Sequence, residues 1–459
     1  MRDVSLSTAP DSLFVDLGRY NRVPMPRPAV SVVIPVWGEH NLARLVPSVR
    51  ATLGSIGAEH EIVVAVGRHA RRARAAAESL GVTVVVAKGH GYGEILRAGL
   101  SSATGAYVVT MDADFSHRPG YVRTMWHHRH RAEVLIGSRY VRRAYAEMPP
   151  ARRLLSRLLN LLYRKALALP YRDLSSGFRM YRSDVLADIG LPQAQGLDVL
   201  PEMTVKAYCQ GWRIAEIPFW YQGARPFTRM RMVRLGLGYV TTLGRAFALR
   251  NSVKAADYDH RAFDSWIPLQ RYWQRSRFRI IQNFVADEGW VLDIGCGSSR
   301  IVQTLPRVVA TDVAIRKLRW LRAPGRPLLQ ADMNRLPFRS GAFGAVVCSE
   351  VIEHIPRDEV RLEELVRVIA PGGVLVLGTP DYGKRLWRTL EWTYGKLFPG
   401  GYAKEHINRY DHAGLRRMLQ ELGLEVERVR YVGGSEMIFK ARVPTVVRLP
   451  AEAVPARSR

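Results

Sequence analysis

Two aspartates one residue apart, Asp112 and Asp114, close an apolar run in Tyr107-Val108-Val109-Thr110-Met111-Asp112-Ala113-Asp114-Phe115-Ser116-His117. A strand from Tyr107 to Met111, with its two-residue period, turns both carboxylates to one side at its end. Like charges held that close are unfavourable unless a cation sits between them, and oxygen ligands suit Mg²⁺ or Mn²⁺. Such an ion holds the diphosphate of a nucleotide-activated donor and stabilises it as it leaves. A surface turn with two solvated acids accounts for the same pair. A second constellation lies in the other half of the chain. Trp290-Val291-Leu292-Asp293-Ile294-Gly295-Cys296-Gly297 reads as a strand turning through glycines, and Val308-Val309-Ala310-Thr311-Asp312 ends in an acid placed to grip two ribose hydroxyls. His354, His406 and Tyr410 are candidates for taking a proton from a hydroxyl, imidazole being the natural base near neutral pH. A structural histidine explains His354 and His406 as well.

The elements that position these residues alternate. A buried strand running into a loop is expected over 30–39 and further strands at 61–66 and 82–87, with helices at 42–53 and 70–80 between them. Lys88-Gly89-His90-Gly91-Tyr92-Gly93-Glu94 then opens a further helix, as a phosphate-binding loop or as close packing at a turn. Strand–helix alternation predicts a parallel α/β sheet with ligands at the carboxyl ends of its strands. The pattern breaks between Asn251 and Gln274, and a second α/β series follows. The expected layout is a flexible arm (1–27), a first domain (28–250), a connecting arm (251–274), a second domain (275–440) and a loose tail (441–459).

At 459 residues and 47% hydrophobic content the chain has material for more than one core. Cys209, Cys296 and Cys348 are isolated, which argues against a zinc or disulfide framework and fits a reducing cytoplasm. No run of about 20 uncharged apolar residues predicts a transmembrane helix, and no secretory signal is expected. The net charge of +27 peaks between Arg118 and Arg182, with 15 bases against 3 acids. It points to nucleic acid, an anionic membrane surface or a phosphorylated substrate, while an arginine-rich coding bias gives the same excess. Leu154, Leu155, Leu158, Leu159 and Leu162 share one face of a helix flanked by Arg153, Arg157, Arg164 and Lys165. That pattern suits an interfacial helix or a core helix.

Ser31-Val32-Val33-Ile34-Pro35, the Asp112–His117 segment, Ile136-Gly137-Ser138-Arg139-Tyr140, Asp173-Leu174-Ser175-Ser176-Gly177-Phe178-Arg179-Met180-Tyr181, Glu202-Met203 and Glu216-Ile217-Pro218 occur in one order. Together they resemble the inverting family-two glycosyltransferases of the GT-A fold, and among them the polyprenyl (dolichyl) phosphate mannose synthases, over residues 28–250. The resemblance implies that Asp112 and Asp114 hold the metal and donor diphosphate, with Pro35 and Glu39 among the substrate-binding residues. It places Arg139, Arg152 or Arg153, and Ser156 at the lipid phosphate, Arg179 among the substrate contacts, and Arg225 facing the donor phosphates. Val64-Ala65-Val66-Gly67-Arg68 departs from the acidic pair usual after the second strand, which leaves the donor's base open. The expected partners are a nucleotide sugar, a polyprenyl phosphate or other lipid acceptor and an anionic membrane surface, with a possible small anchor subunit and no DNA.

The second series, with Gln330-Ala331-Asp332-Met333, Ser349-Glu350-Val351-Ile352-Glu353-His354 and Ala370-Pro371-Gly372-Gly373, is similar to class I S-adenosylmethionine-dependent methyltransferases with a Rossmann-like fold. The resemblance puts Asp293, Gly295 and Gly297 at the methionine end, Asp312 on the ribose, Asp332 on the adenine amine, Met333 on its ring and Glu350 on the acceptor side; His354, placed after the fourth strand, is a candidate base there. The combined expectation is a bifunctional enzyme, peripheral on the cytoplasmic face of a membrane, joining sugar transfer to a polyprenyl phosphate with O-methylation in one pathway. Sugar transfer to a hydroxyl with Glu202 as base, or an RNA-binding methyltransferase, are the alternatives.

Overall fold

The computed structural model describes residues 28–36, 41–223, 229–397 and 406–445. The chain divides into two compact units, with the boundary between Ala255 and Ala256.

In the first unit the strands are β1 (Val30–Val36), β2 (His60–Val66), β3 (Thr83–Val86), β4 (Tyr107–Thr110), β5 (Val134–Ser138), β6 (Tyr145–Glu147), β7 (Arg179–Arg182), β8 (Ile214–Pro218) and β9 (Trp220–Gln222). Seven form one sheet in the order β3-β2-β1-β4-β7-β5-β8, and β6 pairs with β9 separately. Strand β7 runs antiparallel to both its neighbours, while the other pairs in the sheet are parallel. β1 is buried along its whole length, as a central strand covered on both faces must be. Its pairing with β4 ends at Val33 and Thr110, so Pro35 lies beyond β4, where its missing N–H breaks no bond on that side.

The β4 strand stops at Thr110, one residue before the expected end, and its hydroxyl donates to Gly177 O at 2.7 Å. Asp112 and Asp114 therefore sit in the turn that follows, and strand alternation does not set their directions: Asp112 is half-buried and Asp114 exposed. Arg179, expected to touch substrate, faces inward instead. It is 0% exposed and donates to Ser176 O, Leu174 O, Leu200 O and Thr204 Oγ1 at 2.6–2.9 Å. Its guanidinium ties the 174–178 loop to the Val199–Cys209 helix.

The helix with the leucine face spans Pro150–Ala166. Asn160 and Tyr163 are its buried residues, while Leu155, Leu158, Leu161 and Leu162 are exposed and Leu154 is 60% exposed. The apolar stripe is therefore not core. Beside it runs the helix Arg229–Asn251, reached by the Tyr163 hydroxyl donating to Tyr239 O, and it too exposes Leu237, Val240 and Phe247. Among the described residues no helix is long and apolar enough to cross a membrane.

The second unit has β10 (Val291–Ile294), β11 (Val308–Asp312), β12 (Leu328–Gln330), β13 (Phe343–Ser349), β14 (Ile369–Pro380), β15 (Glu425–Val432) and β16 (Glu436–Arg442). The order is β12-β11-β10-β13-β14-β16-β15, with β16 antiparallel between β14 and β15. Much of the segment expected to be a connecting arm is helical: Tyr258–Phe263 and Pro268–Val285 are helices of this unit, the latter started by Pro268. Periodicity missed the first because six residues are too short to show it.

Replacing Arg179 by Met is expected to destabilise the first unit by about 3 kcal/mol or more, because several buried acceptors lose their donor together. Chemical denaturation of the full chain, followed by fluorescence, measures this.

Candidate active sites

The turn after β4 is stiffened from within. Tyr92 donates its hydroxyl to Asp112 Oδ1 at 3.0 Å, and the Ser116 N–H donates to Asp114 Oδ1 at 3.0 Å. The Asp112 N–H donates to His117 Nδ1 at 2.9 Å. That nitrogen therefore carries no proton, and burial lowers the pKa of the ring despite the nearby carboxylates. His117 is thus neutral and adds no positive charge beside the aspartates. Two hard oxygen donors on a partly open turn fit a Mg²⁺ or Mn²⁺ ion. The buried Ser116 Oγ next to them has no hydrogen-bond partner.

The arginines gather around Tyr221. Arg139 lies 5.3 Å from the Tyr221 ring, Arg152 donates to its hydroxyl at 3.1 Å, and the His117 ring lies 5.9 Å away at a tilt of 57°. Tyr140 donates to Ser156 Oγ at 2.7 Å and faces Arg139 and Arg157. Arg153 has a buried Nε without a partner. Asp112, His117, Arg139, Arg152 and Ser156 are thereby brought into one neighbourhood. Glu39 and Arg225 lie outside the described residues.

Arg139 differs from what its sequence position suggests. Its guanidinium forms a fork with Asp173 at 2.7 and 2.8 Å, and both side chains are buried. Burial alone would lower the arginine's pKa and raise the aspartate's, but their mutual attraction reverses both shifts. The net charge Arg139 offers a ligand is correspondingly small.

Glu202 has no capacity left for a base. Burial alone would raise its pKa, but Lys206 at 2.8 Å and the N–H groups of Gln193 and Ala194 hold it below the usual carboxylate value. In the glycine-rich loop, packing explains the sequence: a Cβ on Gly93 would meet Ala194 O at 2.2 Å, and the Gly93 N–H donates to Gln195 O.

In the second unit the turn after β10 runs through Gly295 and Gly297 at φ +61° and +55°, a region that side chains other than glycine's disfavour. Asp312 accepts from the N–H of Gly297 at 2.8 Å and of Ala314 at 2.7 Å, which pins the end of β11 to this turn. Asp293 is buried, its Oδ2 has no partner, and burial with the charge of Asp312 pushes its pKa up to about 8. An orphaned buried carboxyl oxygen beside a glycine turn fits the ammonium group at the amino-acid end of S-adenosylmethionine. Asp332 is exposed, its Oδ1 accepting from the Asn334 N–H, and Met333 is buried in the hydrophobic core, so the core claims its side chain rather than a ligand ring.

Four residues were missed from sequence. Asp259, on the unexpected short helix, accepts from Ser298 N and Oγ and pairs with Lys317 at 2.9 Å, buttressing the turn. Arg277 reaches Glu436 at 2.6 Å and Glu350 at 3.3 Å, and burial with surrounding carboxylates raises the pKa of Glu350. Glu353 is buried, and burial pushes its pKa up to about 8. Asp259, Arg277 and Glu436 sit in no motif, and contacts 39 to 159 residues apart in sequence give no local signal; Glu353 lies in the Ser349–His354 segment, but its approach to His406 joins distant segments. His354 and His406 face each other with ring centroids 5.1 Å apart, while Tyr410 is buried in the core.

Residues 31–190 match the profile of glycosyl transferase family 2, and residues 292–377 match that of a methyltransferase domain. The first half is 33% identical over 114 residues to an undecaprenyl-phosphate mannosyltransferase of Micrococcus luteus, covering 24% of this chain and 47% of the relative. It is 31% identical over 172 residues to an undecaprenyl-phosphate 4-deoxy-4-formamido-L-arabinose transferase of Pseudomonas paraeruginosa, covering 36% and 50%. An uncharacterized methyltransferase of Mycobacterium tuberculosis is 32% identical over 114 residues, covering 22% and 57%. The chain thus spans about half the length of the curated relatives it matches.

The raised pKa of Asp293 sets a pH signature. An acid whose folded pKa is raised contributes stability that is full below its unfolded value near 4 and declines as pH rises to about 8. Asp293→Asn removes this dependence. Thermal melting is expected to show the variant gaining on the wild type from about pH 4 to about pH 8, with no further change above.

Proposed function

We propose that this chain, which joins a family 2 glycosyl transferase domain of the GT-A type to a Rossmann-like methyltransferase domain, transfers a sugar from a nucleoside diphosphate to a polyprenyl phosphate and O-methylates a sugar hydroxyl. One observation carries the first half. The aspartate turn and the arginines around Tyr221 share one neighbourhood, and the helix that supplies Arg152 and Ser156 turns a row of leucines to solvent.

A Mg²⁺ or Mn²⁺ ion at Asp112 and Asp114 would neutralise the departing diphosphate. Arg152, Arg153 and Ser156 bind the acceptor phosphate, and Arg139, neutralised by Asp173, holds the wall against which it sits. A phosphate is anionic at neutral pH, so no base is needed. Its oxygen attacks the anomeric carbon as the bond to the diphosphate breaks, with inversion. Transfer to a hydroxyl would require a base, and the hydrogen bonds that hold Glu202 as a low-pKa carboxylate argue against it in that role. Relatives named for undecaprenyl-phosphate transfer support the acceptor class.

The exposed leucines of Pro150–Ala166 enter the outer part of a bilayer while Arg157 and Lys165 meet anionic head groups. The protein is then peripheral on a membrane, with the acceptor phosphate delivered at the end of the helix that carries Arg152.

In the second unit S-adenosylmethionine would supply the electrophilic methyl group. Asp293 and the Gly295–Gly297 turn hold its amino-acid end, Asp312 its ribose, and Glu350 and His354 line the acceptor side.

Purified protein with Mn²⁺ or Mg²⁺, polyprenyl phosphate, a panel of nucleotide sugars and labelled S-adenosylmethionine is expected to give an acid-labile lipid-phosphosugar by mass spectrometry. Asp114→Ala should lower its formation by about 10²–10³-fold; an undiminished rate would remove the assignment. A labelled methyl on that lipid places the two reactions in series. Replacing Leu154, Leu155, Leu158 and Leu162 by Ser is expected to abolish co-flotation with anionic vesicles, each leucine contributing up to about 1.5–3 kcal/mol when buried.

A further inference from the structure

The methyltransferase unit contains a second cluster that binding of S-adenosylmethionine leaves unexplained. Glu353, His354 and His406 each offer one ligand atom, and those atoms lie within 4.8 Å of one another. Glu353 is on the turn Ile352–His354 directly after β13, and its side chain is 0% exposed. Its Oε2 accepts from Thr379 Oγ1 at 3.1 Å, while Oε1 has no hydrogen-bond partner. The His406 side chain is 4% exposed; its Nδ1 lies 2.9 Å from both Glu391 Oε1 and the Tyr382 hydroxyl, and its Nε2 has no partner.

The protein's own hydrogen bonds hold the arrangement together. The N–H groups of Ile407 and Asn408 donate to Glu353 O at 2.8 and 3.0 Å, which fixes the His406 segment against the Glu353 turn. Two orphaned polar atoms, one a carboxylate oxygen and one an imidazole nitrogen, are unfavourable together in a buried place. One cation satisfies both. An imidazole aimed by a carboxylate on its other nitrogen is the support that metal-bound histidines usually show.

We propose that Glu353, His354 and His406 bind one divalent transition-metal ion, of the Zn²⁺ class, with positions left open for the hydroxyl that receives the methyl group. Two imidazoles and a carboxylate are a donor set that such ions take, and Mg²⁺ and Ca²⁺ prefer all-oxygen sites. The place is right for an acceptor. β10 and β13 are parallel neighbours, so the turn that carries Glu353 leaves the same sheet edge as Asp293 and the glycine turn. This rests on the methyltransferase reading of the second unit. The hydroxyl loses its proton to solvent, and its oxygen pair forms the O–CH₃ bond. The C–S bond breaks with its pair retained on sulfur, giving a methyl ether, S-adenosylhomocysteine and one proton.

The test uses the full chain with Asp112→Asn and Asp114→Asn, which removes the other oxygen-rich site. Metal-free protein is titrated with Co²⁺, followed by visible absorption and equilibrium dialysis. One Co²⁺ per chain, with visible bands that Zn²⁺ abolishes, is the expected result. His406→Ala, His354→Ala and Glu353→Gln should each weaken binding by at least about tenfold, and Glu391→Gln less, with melting curves to show that each variant folds. No Co²⁺ uptake, or uptake unchanged in the histidine variants, overturns the proposal. Methyl transfer that survives chelation without any Co²⁺ site sinks the metal while sparing the methyltransferase. A Co²⁺ site in a chain that does not bind S-adenosylmethionine sinks the methyltransferase reading instead.

Discussion

The buried fork between Arg139 and Asp173 is the contact from which the first site is built. Removing either partner leaves an uncompensated charge in the interior, a loss of about 3–5 kcal/mol, so the two hold each other in place. Asp173 begins the loop that carries Ser175, whose hydroxyl bonds Arg139, and that continues to Gly177 and Arg179. Gly177 O accepts from Thr110 at the end of β4, and Arg179 fastens the same loop to the Val199–Cys209 helix. The aspartate turn after β4 is thus set by a chain of contacts that starts at a salt bridge and runs through a buried arginine.

The second unit solves a similar problem with the opposite excess. Glu350, Glu353 and Glu436 surround one guanidinium, Arg277, with Glu436 also accepting from Trp273. One cation does not neutralise three acids, and burial drives Glu350 and Glu353 toward their protonated forms. Asp293 and Asp312 repeat the pattern at the glycine turn. Buried acids in excess of buried bases are unfavourable by themselves, and they are suited to ligands that bring positive charge.

The helix Pro150–Ala166 ties chemistry to location. Its buried residues, Asn160 and Tyr163, face the protein: Asn160 accepts from the Leu174 N–H, and Tyr163 reaches the Arg229–Asn251 helix. Its leucines have no such use, because the fold presents them to solvent. Arg152 and Ser156, on the same helix, take part in the arginine and tyrosine cluster. One element therefore carries both the exposed apolar surface and two members of that cluster.

Periodicity and motif order made both sheets legible, because a strand buried on two faces must be apolar throughout and a phosphate- or ribose-facing turn must carry glycine or an acid at fixed offsets. Asp112, Asp114, Asp293, Gly295, Gly297 and Asp312 are candidates on that ground, each being close in sequence to the strand that positions it. The amphipathic pattern of residues 152–169 left interface and core equally open, since the same spacing serves either; only packing shows which face is covered. Arg179 and Met333 carry side chains that a ligand or a core could use, and the interior took both. Arg277, Glu436, Asp259 and the pairing of Glu353 with His406 arise from contacts between distant segments. Sequence determines which chemistry each residue can do, and the tertiary structure decides which neighbours it meets and whether water reaches it.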